Sequence, residues 1–181
     1  MELIEKTLSR EDIFSGRVLH LHVDKIELTN GRTSTRECID HPGGVSVAAL
    51  TDKNEILFVR QFRYPYKAVV LETPAGKLEK GEDPFEAMKR EQQEETGTTG
   101  TGYLDLGKLY PSPGYTDEVI HLYACRVSSF GETNFDEDEF LELERIPIEK
   151  AVQMVMANEI PDAKSQVLVL KTAQLLKDGK I

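Results

Sequence analysis

Residues 76–98 read GKLEKGEDPFEAMKREQQEETGT, and the organisation of the whole chain can be worked outward from them. Pro84 near the start and Gly97 past the end bracket a helix, the asymmetry expected where the first turn needs no donor and the last needs a left-handed stop. Within it Glu91, Glu94 and Glu95 stand at i, i+3 and i+4, which puts three carboxylates on one face. Like charges at that spacing destabilise an isolated helix by roughly 0.2–0.5 kcal/mol per pair. A solvated helix tolerates such a cost, and charge runs are commonly just solvated faces. The surroundings argue for more. A glycine-containing loop leads in, Glu82 precedes the helix, and Arg90 reaches Glu94 one turn on or Glu82 at the start. Oxygen ligands fixed on one helix and joined by a backbone carbonyl suit Mg²⁺, which takes few protein ligands and keeps waters for substrate phosphates.

On the N-terminal side, Arg17 to Ile39 reads as two strands. Leu19, Leu21 and Val23 alternate, Asn30-Gly31 supplies a tight turn, and Thr33 to Cys38 returns. The residues before them, Met1 to Asp12, read as a charged start. His41-Pro42-Gly43-Gly44 breaks the pattern and divides an N-terminal β unit, residues 1–42, from a main domain, residues 43–181. The small unit has too few apolar residues for its own core, so it needs the main domain or a second subunit to pack on. Beyond the boundary, strands are expected at Val45–Leu50, Ile56–Arg60, Val69–Glu72, Leu104–Leu109, Val119–Cys125 and Phe140–Arg145. A second helix starts at Pro147, and Asp162 caps a third. The class is α+β: a mixed sheet packed between helices, with a small N-terminal antiparallel sheet.

Bulk properties narrow the function. A chain of 181 residues with 39% hydrophobic and 30% charged residues is an ordinary globular protein. It carries no apolar run of membrane-spanning length and no export signal, so a cytoplasmic protein without a membrane partner is expected. Cys38 and Cys125 lack ligand spacing and read as reduced fillers. A formal net charge of −10 argues against nucleic acid as a partner. The acids also cluster, at Glu79–Glu95 and Glu132–Glu144, as groups that either repel in solvent or collect divalent cations.

The helix segment resembles the Nudix box: Gly, five residues, Glu, seven residues, then Arg-Glu-aliphatic-x-Glu-Glu-x-Gly-aliphatic. Gly76, Glu82, Arg90, Glu91, Glu94, Glu95 and Gly97 match in place. Gln92 and Thr98 depart from it, each standing where an aliphatic residue is expected. By helical spacing Gln92 falls on the apolar side, where burying its amide without partners costs about 1–3 kcal/mol. A leucine there is therefore expected to stabilise the fold. Leu71-Glu72-Thr73-Pro74-Ala75-Gly76, the Gln61-Phe62-Arg63 segment, the N-terminal sheet, Asp136-Glu137-Asp138-Glu139 and Pro113 extend the likeness over nearly the whole chain. They are similar to ADP-ribose pyrophosphatases, in which a proline sixteen residues past the last box glycine is a marker.

That resemblance implies roles. Glu91 and Glu95, with the Ala75 carbonyl, would ligate Mg²⁺ (Mn²⁺ being the other candidate), and Glu94 would assist. Glu82 and Arg90 would brace loop and helix, with Gly76 and Gly97 shaping its ends. Glu139, or failing that Glu137, would orient the attacking water. Arg63 could grip a phosphate through its bidentate fork. Glu118 resembles a ribose-contacting position, and Phe14 and Arg36 would sandwich adenine, across a homodimer if need be. The histidines read as structural. The implied substrate is a nucleoside diphosphate sugar: ADP-ribose, cleaved to AMP and ribose 5-phosphate. GDP-mannose, NADH or an oxidised nucleotide is the enzymatic alternative. A nucleotide-binding regulator without hydrolysis is disfavoured because every box glutamate remains.

Overall fold

The computed structural model describes residues 3–135 and 140–181. The chain divides into two compact units, Met1–Gly43 with Tyr110–Val119, and Gly44–Leu109 with Ile120–Ile181.

The first unit is a three-stranded antiparallel sheet of β1 (Lys6–Ser15), β2 (His20–Glu27) and β3 (Thr33–Asp40), in that order. Between β2 and β3 the Leu28 carbonyl accepts from the Gly31 N–H at 2.8 Å, and Gly31 takes φ 79°, the left-handed conformation that the Asn-Gly pair supplies. The strand pair expected from Arg17 onward is there, but the charged start is also a strand. β1 escaped the period-two reading because bulges between Thr7 and Ser9 and between Asp12 and Phe14 break its alternation. On one face of this sheet His22 is buried, with ring nitrogens 3.0 Å from Asp24 and 3.1 Å from Asp40. Arg10 pairs with Asp24 from the neighbouring strand. The returning segment of the unit closes on β3 through a bridge between Ile39 and Thr116.

The second unit follows as β4 (Gly44–Leu50), β5 (Glu55–Arg63), β6 (Ala68–Glu72), β7 (Ala75–Lys77), α1 (Pro84–Thr96), β8 (Thr98–Leu109), β9 (Ile120–Phe130), β10 (Leu141–Pro147), α2 (Ile148–Met156) and α3 (Ala163–Lys177). Its sheet runs β10-β5-β4-β9-β8, with β6 on β5 and β7 on β4. It is mixed: β4 and β9 run parallel while β5 and β10 pair antiparallel. β4 is buried along its whole length, which is why its sequence is a continuous apolar run rather than an alternation. Val45, Val47 and Ala49 pack with Ala87 and Met88 of α1. Ala48 and Leu50 face the opposite layer, with Ile148 and Ala151 of α2 and Leu168 and Val169 of α3. The sheet therefore lies between helices. No helix among the described residues is long and apolar enough to cross a membrane.

α1 has both of its ends specified. Asp83 accepts from the N–H groups of Phe85 and Glu86 at 3.0 and 3.2 Å, and Pro84 occupies the position where a donor is not needed. Gly97 ends the helix at φ 64°, its N–H donating to the Gln93 carbonyl. The Gly97 carbonyl accepts from Gly131, and the Glu94 carbonyl from the Asn134 N–H at 2.9 Å, so residues 131–134 are stitched to the last turn. A Cβ at Gly97 would lie 2.5 Å from the Gly131 carbonyl oxygen. Gly97→Ala is thus expected to cost about 1–3 kcal/mol. A urea unfolding midpoint equal to that of the wild type would show that this turn accepts a side chain.

Candidate active site

The carboxylate face of α1 meets the loop from Thr73 to Lys77, and that loop is held from three sides. β7 pairs with β4, matching Val45 with Gly76 and Ser46 with Ala75. The Pro74 carbonyl accepts from the Val47 N–H at 3.0 Å and from the Ser46 hydroxyl at 2.8 Å. The Thr73 N–H donates to Ser165 Oγ on α3 at 2.7 Å. Held this way, the Ala75 N–H reaches a Glu95 carboxylate oxygen at 2.9 Å. A Cβ on Gly76 would sit 1.9 Å from a Glu91 oxygen, so only glycine leaves that carboxylate its place.

Arg90 deals with the charge. Its Nε and Nη2 contact the two Glu82 oxygens at 3.1 and 3.2 Å, while Nη1 contacts Glu91 at 2.8 Å and Glu94 at 2.9 Å. Glu82 also accepts the Glu79 N–H at 2.9 Å, which closes the loop before the helix. The Glu82 carboxyl is held below its ordinary value, first by Arg90 and then by that amide, and the guanidinium is correspondingly raised. The structure therefore brings together Ala75, Gly76, Glu82, Arg90, Glu91, Glu94 and Glu95. Among the described residues no three acidic, imidazole or thiol groups converge as a ready-made cation cage. Mg²⁺ does not need one, since it binds through one or two carboxylates and retains water. Glu91, set against Gly76, and Glu95, bonded to the Ala75 N–H, fit that requirement.

Arg63 lies at the end of β5 with its fork already filled. Nε and Nη2 donate to the two oxygens of Glu72 at 2.6 and 2.7 Å. Glu72 is 3% exposed and takes a further donor, Lys164 Nζ at 2.5 Å; Lys164 is also 3.0 Å from Asp162. Glu95 is among the charges acting on Arg63, so the network borders the carboxylate face. Sequence reasoning missed Glu72 and Lys164. One signal was present: Lys164 stands in the first turn of α3, where a cation opposes the helix dipole and so needs an anion of its own.

The remaining candidates lie elsewhere. Glu139 and Glu137 are outside the described residues. Pro113 and Glu118 belong to the first unit, where Glu118 is 3.7 Å from His41. Phe14 pairs in register with Leu21, and Arg36 with Asp24, which puts them on opposite faces of the three-stranded sheet. One chain alone does not bring that pair together, and Arg36 is engaged by Glu5.

Gln92 is buried as its spacing implied, but its amide is satisfied. It donates to Thr98 at 3.1 Å and accepts from Tyr103 at 3.1 Å and Cys125 at 3.6 Å. Burial pushes the Cys125 thiol up to about 12, which keeps it a donor. The expected gain from a leucine at this position is thus overturned, because the substitution would remove the hydrogen bonds to Thr98, Tyr103 and Cys125.

Burial alone would raise the Glu72 carboxyl, but Arg63 and Lys164 outweigh it and hold the pKa below the ordinary 4.5. The stability this contributes is present above pH 4.5 and is lost as pH falls through the depressed value. Glu72→Gln should cost about 3 kcal/mol at neutral pH, since it strands two cations. The variant should also lose less stability than the wild type on acidification. Parallel urea titrations at pH 7 and pH 3 test both statements, and equal wild-type and variant stability at pH 7 would contradict the first.

Similarity to known proteins can be set beside this geometry. Residues 40–168 match the NUDIX domain, and residues 5–39 match the nucleoside diphosphate sugar hydrolase N-terminal domain. The chain is 44% identical over 177 residues to an ADP-ribose pyrophosphatase of Bacillus subtilis (strain 168), covering 94% of this chain and 96% of that one. It is 46% identical over 167 residues to a methanol dehydrogenase activator of Bacillus methanolicus, covering 91% and 90%. A crystal structure of an ADP compounds hydrolase shares the fold, with a TM-score of 0.83 at 20% identity over 98% of this chain and 97% of that one.

Proposed function

The chain belongs to the NUDIX hydrolase family, and from that premise we propose that it hydrolyses the pyrophosphate bond of ADP-ribose to AMP and ribose 5-phosphate with Mg²⁺ as cofactor. The observation that carries the reading is the placement of Glu91 and Glu95 against a loop where only glycine fits. The choice of ADP-ribose is supported by the near full-length similarity to the pyrophosphatase of that name.

In this reading Glu91, Glu95 and the Ala75 carbonyl would hold the cation, with Glu94 beside them, and the chemistry it would supply there is neutralisation of charge on the diphosphate. Arg90 keeps the carboxylates from repelling one another and fixes their rotamers through Glu82. Glu139, or Glu137, orients a water for in-line attack on the adenosyl phosphorus. The water oxygen joins that phosphorus, the bond to the bridging oxygen breaks, and the bridging oxygen leaves with ribose 5-phosphate. Arg63 helps to set the electrostatics beside Glu95, and a phosphate would have to compete with Glu72 for its fork. Phe14, Arg36, Glu118 and Pro113 are assigned to the nucleoside end.

Activity should vanish in EDTA and return with millimolar Mg²⁺. Glu95→Gln, which keeps size but removes charge, should lower kcat by about 100-fold or more while the protein stays folded. Turnover without any divalent cation would sink the metal assignment. In a panel of ADP-ribose, GDP-mannose, NADH and nucleoside triphosphates, ADP-ribose should have the highest kcat/KM, with AMP as product. NADH as the preferred substrate would shift the reading toward dinucleotide chemistry.

A homodimer belongs to the same proposal. β1 is exposed along its length, with Leu8 at 44%, Ile13 at 51% and Phe14 at 61%. Apolar side chains on an open edge strand call for a partner. Pairing of the N-terminal strands of two copies would cover them. Sedimentation at micromolar concentration should give a dimer, and a fully active monomer would refute it.

A further inference from the structure

The two positions at which this chain departs from the Nudix box, Gln92 and Thr98, touch each other. Gln92 Nε2 donates to Thr98 Oγ1 at 3.1 Å; the Thr98 and Thr96 hydroxyls are 2.7 Å apart; and Thr96 Oγ1 donates to the Gln92 carbonyl at 2.5 Å. Since the Thr96 proton is committed to that carbonyl, the Thr98 hydroxyl must donate to Thr96. The result is a closed ring of hydrogen bonds that starts and ends on Gln92. The amide oxygen is fixed separately by Tyr103 of β8 and Cys125 of β9. Tyr103 is oriented in turn by the Gly100 N–H at 2.9 Å. A Cβ on Gly100 would lie 2.5 Å from Cys125 Sγ and 2.8 Å from the Tyr103 hydroxyl, so the glycine makes room for both.

We propose that Gln92 is a positioning residue: the ring and its two outer hydrogen bonds set the rotation of α1 on the sheet, and thereby where Glu91 and Glu95 stand. An aliphatic side chain at this position would hold the helix by packing alone, whereas hydrogen bonds are directional and add resistance to rotation. Gln92 is the neighbour of Glu91 and lies one turn before Glu95. A rotation of about 10° moves a carboxylate on the helix rim by roughly 1 Å, given the radius of a helix with its side chains. Metal–ligand distances tolerate only about 0.2 Å. The inference rests on Glu91 and Glu95 being the cation ligands.

The test is Gln92→Met, which keeps the length of the side chain and suits a buried position but removes all three side-chain hydrogen bonds. Thr98→Val opens the ring alone and is isosteric, so it serves if the first variant fails to fold. Mn²⁺ binding to the folded proteins is measured by calorimetry, beside kcat and KM for ADP-ribose. Expected are about 10-fold weaker Mn²⁺ binding and a comparable fall in kcat at fixed metal, with KM nearly unchanged, the pattern of a disturbed outer shell. Thr98→Val should show a smaller effect in the same direction. Wild-type Mn²⁺ affinity and kcat in the folded variants, whatever their melting temperatures, would overturn the positioning role. Absence of Mn²⁺ binding by the wild type would overturn the metal-site reading instead.

Discussion

One guanidinium makes the carboxylate helix possible. Three glutamates on one face of α1 repel one another, and Glu82 at the helix start adds a fourth negative charge. Arg90 contacts Glu82, Glu91 and Glu94 at once. Its planar fork does what a lysine could not, holding both Glu82 oxygens while the remaining nitrogen serves the other two acids. The Glu82 carboxylate that Arg90 holds also accepts the Glu79 N–H and so closes the loop before the helix, and the missing side chain at Gly76 leaves room for Glu91. The ordinary solution to such crowding is to spread the charges into solvent. Here they are concentrated on one helix face and balanced by a single side chain.

What could be read from the sequence was what is local. The box residues lie within one loop and one helix, so spacing alone determines which side chains share a face. The helix limits at Pro84 and Gly97, the Asn30-Gly31 turn and the strand at Val45–Leu50 were readable for the same reason. The pattern failed where geometry departed from a simple period or where partners were distant. β1 was lost because its bulges scramble the alternation. The Glu72–Lys164 pair was lost because it joins elements 92 residues apart, a separation no periodicity reports. That Phe14 and Arg36 face opposite ways within one chain shows only in strand register.

Gln92 is the instructive case between these. Its burial followed from helical spacing, but its energetic meaning depended on neighbours that sequence distance concealed. A lone buried amide is a defect, whereas one matched donor for acceptor is a directional fixture. Two apparent blemishes in the box thus turn out to be one arrangement. A valine at position 98 would take away the acceptor of the Gln92 amide nitrogen.

The tie between Thr73 and Ser165 also bears on how the protein is made. The loop beside the carboxylates receives one of its clamps from α3, whose Ser165 is synthesised 92 residues after Thr73. While the polypeptide is still on the ribosome, α1 can form and be capped, but its partner loop cannot be closed from that side. Contacts of such long range come late, after the entropy of a large loop has been met. A growing chain therefore carries its acidic helix for some time before the loop beside it has its full set of clamps.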